Sequence, residues 1–224
     1  MSVNSAQEEL LTNIPIGILV DGMKDALADN RAELMDCALE LFAAYGYDGA
    51  GVQNVCEAAA VTKPTLYHYF HSKRGLLEAL MEDRIGDLLL PLAELAKASG
   101  DAREPLRHAA SLTMAFARKK PTFYRLYLAL WFAPLRSEGH EVAAKFHARH
   151  FAAMEAICAA ATRGEARLRN RNRALTASFL GMLNNAIGLA LNNYTALNDR
   201  AASELVDQFL YGILRPAAPR RREA

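Results

Sequence analysis

Apolar residues recur at intervals of three and four along almost the whole chain. From Arg31 to Tyr45, the residues Leu34, Met35, Ala38, Leu39, Phe42 and Tyr45 fall on one helical face and Glu33, Asp36 and Glu40 on the other. Gly46 follows as a left-handed C-cap. A short second helix fits Val52 to Ala59, closed by a tight connection at Ala60 and Val61. A third begins after Thr62 with Pro64 in its first turn, where a missing N–H costs nothing. Ser72 is placed to cap a fourth helix that runs past Leu88 towards Pro91. Beyond it the periodic runs lengthen: Glu104–Arg118, Pro121–Phe132, Glu138–Thr162, Asn172–Tyr194 and Ala201–Leu214, with Pro or Gly near most boundaries. No stretch alternates with period 2, so the pattern predicts an all-α chain. Three short helices around a three-residue turn form a helix-turn-helix, and the longer helices form a second domain.

Composition narrows the class. The 224 residues are 52% apolar and 23% charged with 13 Gly, which excludes a disordered or collagen-like chain. The first 20 residues carry Glu8 and Glu9 where a secretion signal wants positive charge, and Pro15 interrupts their apolar run. The window from Ala174 to Asn198 is uncharged and long enough to span a bilayer, yet it holds five Asn with Thr176, Ser178 and Thr195, which predicts a buried helix rather than a membrane span. Three widely spaced cysteines, Cys37, Cys56 and Cys158, fit a reducing cytoplasm. With 26 basic and 25 acidic residues, net charge says nothing about a nucleic-acid partner, and any such signal must be local.

One local signal is strong. The segment from Glu33 to Leu80, with its helix-1 block ALELF, the GYD turn, the V-x-x-V…A-x-V-T-K spacing, the helix TLYHYF and the SK that follows, resembles the DNA-binding domain of the TetR family of bacterial transcriptional regulators. The resemblance implies a helix-turn-helix domain over 28–88 (motif about 51–70), a helical effector-binding and dimerisation domain over 89–215, and a tail over 216–224, with residues 1–27 left unassigned. It implies a cytoplasmic, homodimeric regulator, most often a repressor, that binds a palindromic double-stranded DNA operator and releases it on binding a small-molecule effector. Thr62, Lys63, Pro64 and Thr65 would then meet base edges from the start of the recognition helix, Tyr67, His68 and Lys73 would meet phosphates, and Gln53 would be a further DNA-binding residue. Leu66, Tyr69 and Phe70 are expected in the core. From Ala58 to Leu77 there is no acid, while Lys63, Lys73 and Arg74 are present.

The segment also departs from the family pattern. Ala50 and Gly51 stand where a capping hydroxyl is common, and Ala60 stands where the turn usually has Gly, at a cost of about 1 kcal/mol if its φ is positive. Over 28–88, five cations (Arg31, Lys63, Lys73, Arg74, Arg84) face ten carboxylates, a balance that predicts few phosphate contacts and a shallow salt dependence.

The second domain offers two features. The helix over 172–194 is apolar nearly all round, with Gly181 and Gly188 seven apart, and the helix over 201–214 carries Leu205, Val206, Phe209, Leu210, Ile213 and Leu214 as a stripe. Together they are expected to form a homodimer interface. Eight aromatics fall within residues 116–151. Of these, Phe116, Phe123, Tyr127, Trp131, Phe146 and Phe151, with His147 and His150, are the candidate pocket for an apolar or aromatic effector, and Met114, Met154 and Asn184 are possible additions.

No nucleophile elbow, phosphate loop or paired-Cys spacing points to an enzyme, a metal or a cofactor. His147 and His150 share a helix face, but no third ligand sits at a matching offset. Two rival readings remain: an apolar-ligand binding protein with weak or lost specific DNA binding, and a nonspecific DNA binder using the arginines at 163, 167, 169, 171 and 173 with those at 220–222.

Overall fold

The computed structural model describes the backbone of residues 16–97, 103–162, 168 and 170–212, and the side chains of that set apart from 16–29 and 103. Several sequence-derived features lie outside the described residues: the first 15 positions, Arg163, Gly164, Arg167, Arg169, Ile213, Leu214 and the tail. Among the described residues the structure is all-α, with helices α1 (Ile16–Gly49), α2 (Val52–Ala58), α3 (Lys63–Phe70), α4 (Lys73–Leu95), α5 (Arg103–Lys119), α6 (Pro121–Trp131), α7 (Glu138–Ala161), α8 (Asn172–Leu191) and α9 (Asp199–Tyr211). The chain divides into two compact units, one ending at Ala79 and one starting at Leu80, so the division falls inside α4 and ahead of residue 88.

In the first unit α1 packs on α2 and α3. Leu34, Ala38 and Phe42 from α1, Val55 and Cys56 from α2, and Leu66 and Phe70 from α3 are buried together. Each large apolar side chain so buried contributes about 1.5–3 kcal/mol relative to exposure. The expected stop after Tyr45 is present, but Gly46 holds φ 75 and ψ 158, an extended positive-φ conformation that is essentially restricted to glycine rather than a left-handed helical cap. The reversal sends Tyr45 into solvent and brings Tyr47 into the core, its ring 5.2 Å from Phe42, which corrects the placement of Tyr45 on the apolar face. Helix α1 also begins well before Arg31.

The turn residues behave as their chemistry demands. Thr62 caps α3 and Ser72 caps α4, their hydroxyls accepting from the N–H groups of Thr65 (3.4 Å) and Gly75 (2.9 Å). Ala60 takes φ 51 and His71 takes φ 64. A Cβ on Gly75 would overlap the carbonyl oxygen of Phe70, so the α3–α4 corner closes only around glycine.

In the second unit α5 is central and touches α6, α7, α8 and α9. Its inner face is Leu106, Ala109, Ala110, Met114, Phe116 and Ala117, and buried Thr113 satisfies its hydroxyl on the Ala109 carbonyl at 2.7 Å. Helix α4 does not stop at Pro91 but continues through it to Leu95. Pro91 forfeits one backbone hydrogen bond, and burial of Leu88, Leu89 and Leu92 on either side outweighs that loss. The stripe on α9 is partly used within the chain. Leu205 and Val206 are buried, Phe209 lies 5.0 Å from the Phe179 ring of α8, and Gly212 at φ 72 ends the helix. Leu205 and Val206 are therefore covered by α5 and α8 of the same chain, while Phe209 and Leu210 stay half-exposed.

Candidate DNA interface and effector cavity

Helix α3 owes its outer surface to its spacing. Leu66 and Phe70, four apart, turn inward. Thr62, Lys63, Pro64, Tyr67 and His68 are exposed on the other side, Tyr67 at 44%. Tyr69, expected in the core, is half-buried. Thr65 is half-buried, and its hydroxyl sits 2.9 Å from that of Thr62, which joins the two threonines into one capped start. Gln53 is exposed on α2, where its amide donates to Glu57 on the same helix at 2.7 Å, so an acid accompanies it. Lys73 lies with its ammonium 4.2 Å from the Tyr47 ring centre and 5.8 Å from that of Phe42. Its stem and charge therefore serve the first unit's own packing as well as any partner.

The second unit holds a cavity of about 940 Å³ between α6, α7 and α8. Of the eight aromatic and histidine residues singled out for a pocket, Tyr127, Trp131, His147, His150 and Phe151 line it. The other three do not. Phe116 and Phe123 pack edge-to-face with centres 6.0 Å apart, and Phe146 is buried beneath the Arg149 guanidinium, 5.7 Å away. Met114 and Met154 are likewise core, whereas Asn184 lines the cavity. Phe132, another of the eight clustered aromatics, lines it too, and sequence reasoning missed Glu155 and Arg173, along with the α8 residues Gly181, Asn185 and Gly188. Their signal is position alone, since they share the helix faces that carry His147 and Asn184.

The polar part of the wall is built in layers. Tyr124 donates its hydroxyl to Asn184 at 2.8 Å. The Tyr127 oxygen lies 3.1 Å from His150 Nδ1, and its ring stacks on His147 with centres 4.0 Å apart. Trp131 closes over His147 at 4.7 Å. Burial raises both phenols well above their ordinary range. It also pushes His147 down to about 3, assisted by His150 and His140, and His150 down to about 4. Both imidazoles are thus neutral at pH 7. Among the described residues no group of three metal-ligating side chains occurs.

The distal half of α4 is tied to the two helices that carry this wall. Glu82 pairs with Arg149 of α7 at 2.6 Å, and Asp87 pairs with Lys120, the residue capping α6, at 2.7 Å. Lys120 also holds the Asp87 carboxyl below its usual range.

Residues 34–80 match the family described as bacterial regulatory proteins, tetR family. Over 184 residues, 82% of each chain, the protein is 25% identical to the HTH-type transcriptional activator FasR of Mycolicibacterium smegmatis. The helix-turn-helix segment is of the TetR type. The chain is also 32% identical over 76 residues to the HTH-type transcriptional repressor KstR2 of Rhodococcus jostii, covering 34% of itself and 37% of that protein. Its fold is similar to that of the FadR regulator from Bacillus subtilis, solved in complex with stearoyl-CoA. That match has a TM-score of 0.69 at 18% identity and covers 82% of this chain and 99% of that one. These relatives are named transcriptional regulators, and the two units have the architecture of an N-terminal helix-turn-helix followed by a helical C-terminal domain.

Proposed function

We propose that the protein is a ligand-responsive, dimeric, cytoplasmic repressor that binds a palindromic operator and releases it when a small apolar effector enters the cavity. The observation that carries this reading is the 940 Å³ cavity walled by Tyr127, Trp131 and Phe151 in a chain whose α3 exposes Lys63, Pro64, Tyr67 and His68. The match to a regulator solved with stearoyl-CoA supports an effector with a long apolar part. Dimerisation through α8 is supported by its exposed Ala174 and Ser178, which lie outside the cavity lining, and by Ala177 and Gly181, which border the cavity's open side. A Cβ built on Gly181 or Gly188 meets nothing within 4 Å, since both glycines border the open cavity. Two copies related by a twofold axis read two half-sites with additive energy.

Release follows from linkage. An effector that prefers one arrangement of α6 and α7 shifts whatever those helices hold, and the Glu82–Arg149 and Asp87–Lys120 pairs make α4 that element. The chain runs from α3 directly into α4. The test is footprinting on the DNA beside the protein's own coding sequence with wild type and Lys63→Ala, followed by titration with fatty acyl compounds. A palindromic footprint that weakens in the variant and is lost on titration supports repression by release. A footprint that strengthens with ligand makes the protein an activator, as FasR is named. A second reading, an apolar-ligand binding protein without specific DNA binding, is favoured by the positive φ of Ala60, the absence of a side-chain cap at Gly51 and the Gln53–Glu57 pair. It predicts no footprint from folded protein at low salt.

A further inference from the structure

The cavity between α6, α7 and α8 is a trough with one side missing. Of the large apolar residues in its wall, Phe132 is 81% and Tyr194 77% exposed, and Trp131 and Leu189 also face solvent. The small residues of the rim, Ala148 and Ala152 on α7 and Ala177 and Gly181 on α8, are exposed as well. An apolar ligand lying there would keep one flank in water, whereas small-molecule sites bury most of their ligand's surface. Contiguous exposed apolar surface on a soluble chain marks a contact face.

Charge says what makes the contact. The wall holds one carboxylate and one guanidinium, Glu155 of α7 and Arg173 of α8. Glu155 is half-buried, and among the described residues neither it nor Arg173 has an ion-pair or hydrogen-bond partner; the guanidinium only lies over the Phe151 ring at 5.3 Å. A carboxylate drawn partly out of water against an apolar wall is stabilised by a cation, and its own chain supplies none. Beyond Arg173, α8 has no charged residue at all. A face that meets its own copy about a twofold axis brings residue i onto j and j onto i, so it must complement itself. One acid on the α7 side and one base on the α8 side, with nothing else charged, meet that condition: two opposite pairs form at once and no like charges oppose each other. A partner of another sequence would have to present the same two charges in the reverse order, which a second copy does by symmetry.

We propose that the cavity is half of a site: a second copy of the chain closes its open side, setting the partner's Arg173 against Glu155 and the partner's Glu155 against Arg173, so that the effector is enclosed between two subunits. This deepens, and rests on, the reading of the cavity as the effector site. By linkage, an effector held by both copies tightens the dimer by the same factor by which dimerisation tightens effector binding.

The test exchanges the two charges in the full-length protein and follows the dimer by sedimentation. Glu155→Arg puts two arginines on each face and Arg173→Glu puts two acids there, so each variant alone should dimerise at least about tenfold more weakly than wild type. An equimolar mixture of the two restores both pairs across the interface and should recover a dimer within about threefold of wild type, as should the double variant Glu155→Arg/Arg173→Glu. Thermal melting checks that each variant is folded. Trp131, the single tryptophan, reports on the wall, and its emission should move to the blue as the wild-type dimer forms. Saturation with 1-decanol or decanoate should then lower the dimer dissociation constant of wild type several-fold. A wild type that sediments as a monomer, single variants as dimeric as wild type, or a mixture no tighter than its components overturns the proposal. A double variant restored while the mixture is not also overturns it, and places the pair inside one chain. A probe that changes Trp131 emission but leaves the dimer constant untouched overturns the shared site and leaves an effector site within one subunit. No emission change with either probe, in a dimer that obeys the charge exchanges, overturns the effector-site reading itself and leaves the trough as a subunit contact.

Discussion

Ala60 is exposed at φ 51 in the turn before the recognition helix, where an L side chain crowds the following carbonyl oxygen. Ala60→Gly removes the crowding and should stabilise the first unit by about 1 kcal/mol, read as an upward shift of a few degrees in melting temperature. This cost is legible in the sequence, because a three-residue helix-turn-helix connection needs a positive φ whatever residue occupies it. The positive φ of His71 is not legible, since it follows from the Phe70 carbonyl meeting Gly75, two residues whose contact no periodicity encodes. The histidines of the cavity give a second expectation at this scale. Burial holds His150 at about 4 and His147 at about 3, both below the ordinary 6.5. Between those values the unfolded chain binds protons that the folded chain refuses, so stability is complete above about pH 6.5 and is lost as pH falls towards 4 and 3. The melting temperature should therefore drop between pH 7 and pH 5, before most carboxylates titrate, and the drop should shrink in a His147→Phe/His150→Phe double variant.

Helix boundaries were readable wherever a cap marks them. Thr62, Ser72, Ser137 and Asn198 each accept a backbone N–H at the start of a helix, and the expected starts of α3, α4, α7 and α9 fall within a few residues of those found. What escaped the sequence is partnership between elements. The stripe of Leu205, Val206 and Phe209 has the same spacing whether it faces a second copy or α5, and only the fold shows Leu205 and Val206 turned to the latter. Aromatic density likewise located the helices around the cavity but did not separate Tyr127 and Phe151, which line it, from Phe116, Phe123 and Phe146, which lie in the core. The pairs Glu82–Arg149 and Asp87–Lys120 join residues 67 and 33 positions apart and were equally out of reach. They carry an expectation of their own. Arg149→Ala and Asp87→Asn should leave effector affinity nearly unchanged yet reduce, several-fold, the factor by which effector weakens DNA binding, measured by fluorescence anisotropy of labelled operator.

At the scale of the molecule, charge and surface set the terms of partnership. Among the cations of the helix-turn-helix, Arg31 lies over the Phe70 ring, Lys73 over Tyr47, and Arg74 and Arg84 beside Glu78 and Asp83. A dimer with about three phosphate contacts per protomer would show a slope of log K on log salt near −5, and a slope steeper than about −8 would mean that this count misses cations engaged only on DNA. Gly181→Leu places a large side chain on the exposed face of α8, where this chain has room for it and a closely packed partner helix does not. Sedimentation should then show monomer at concentrations where wild type is dimeric, with helix content unchanged. The same helix also bears on how a newly made chain is sorted. Asn172–Leu191 is long and apolar enough to cross a bilayer, and most of it lies outside its own chain's core. To the insertion machinery such a segment competes as an anchor, and the side chains that tell against it are Thr176, Ser178, Asn184 and Asn185, each expensive in hydrocarbon. Two asparagines that here line a cavity thereby double as an address label, and exchanging both for leucine should redirect part of the newly synthesised protein to the membrane fraction.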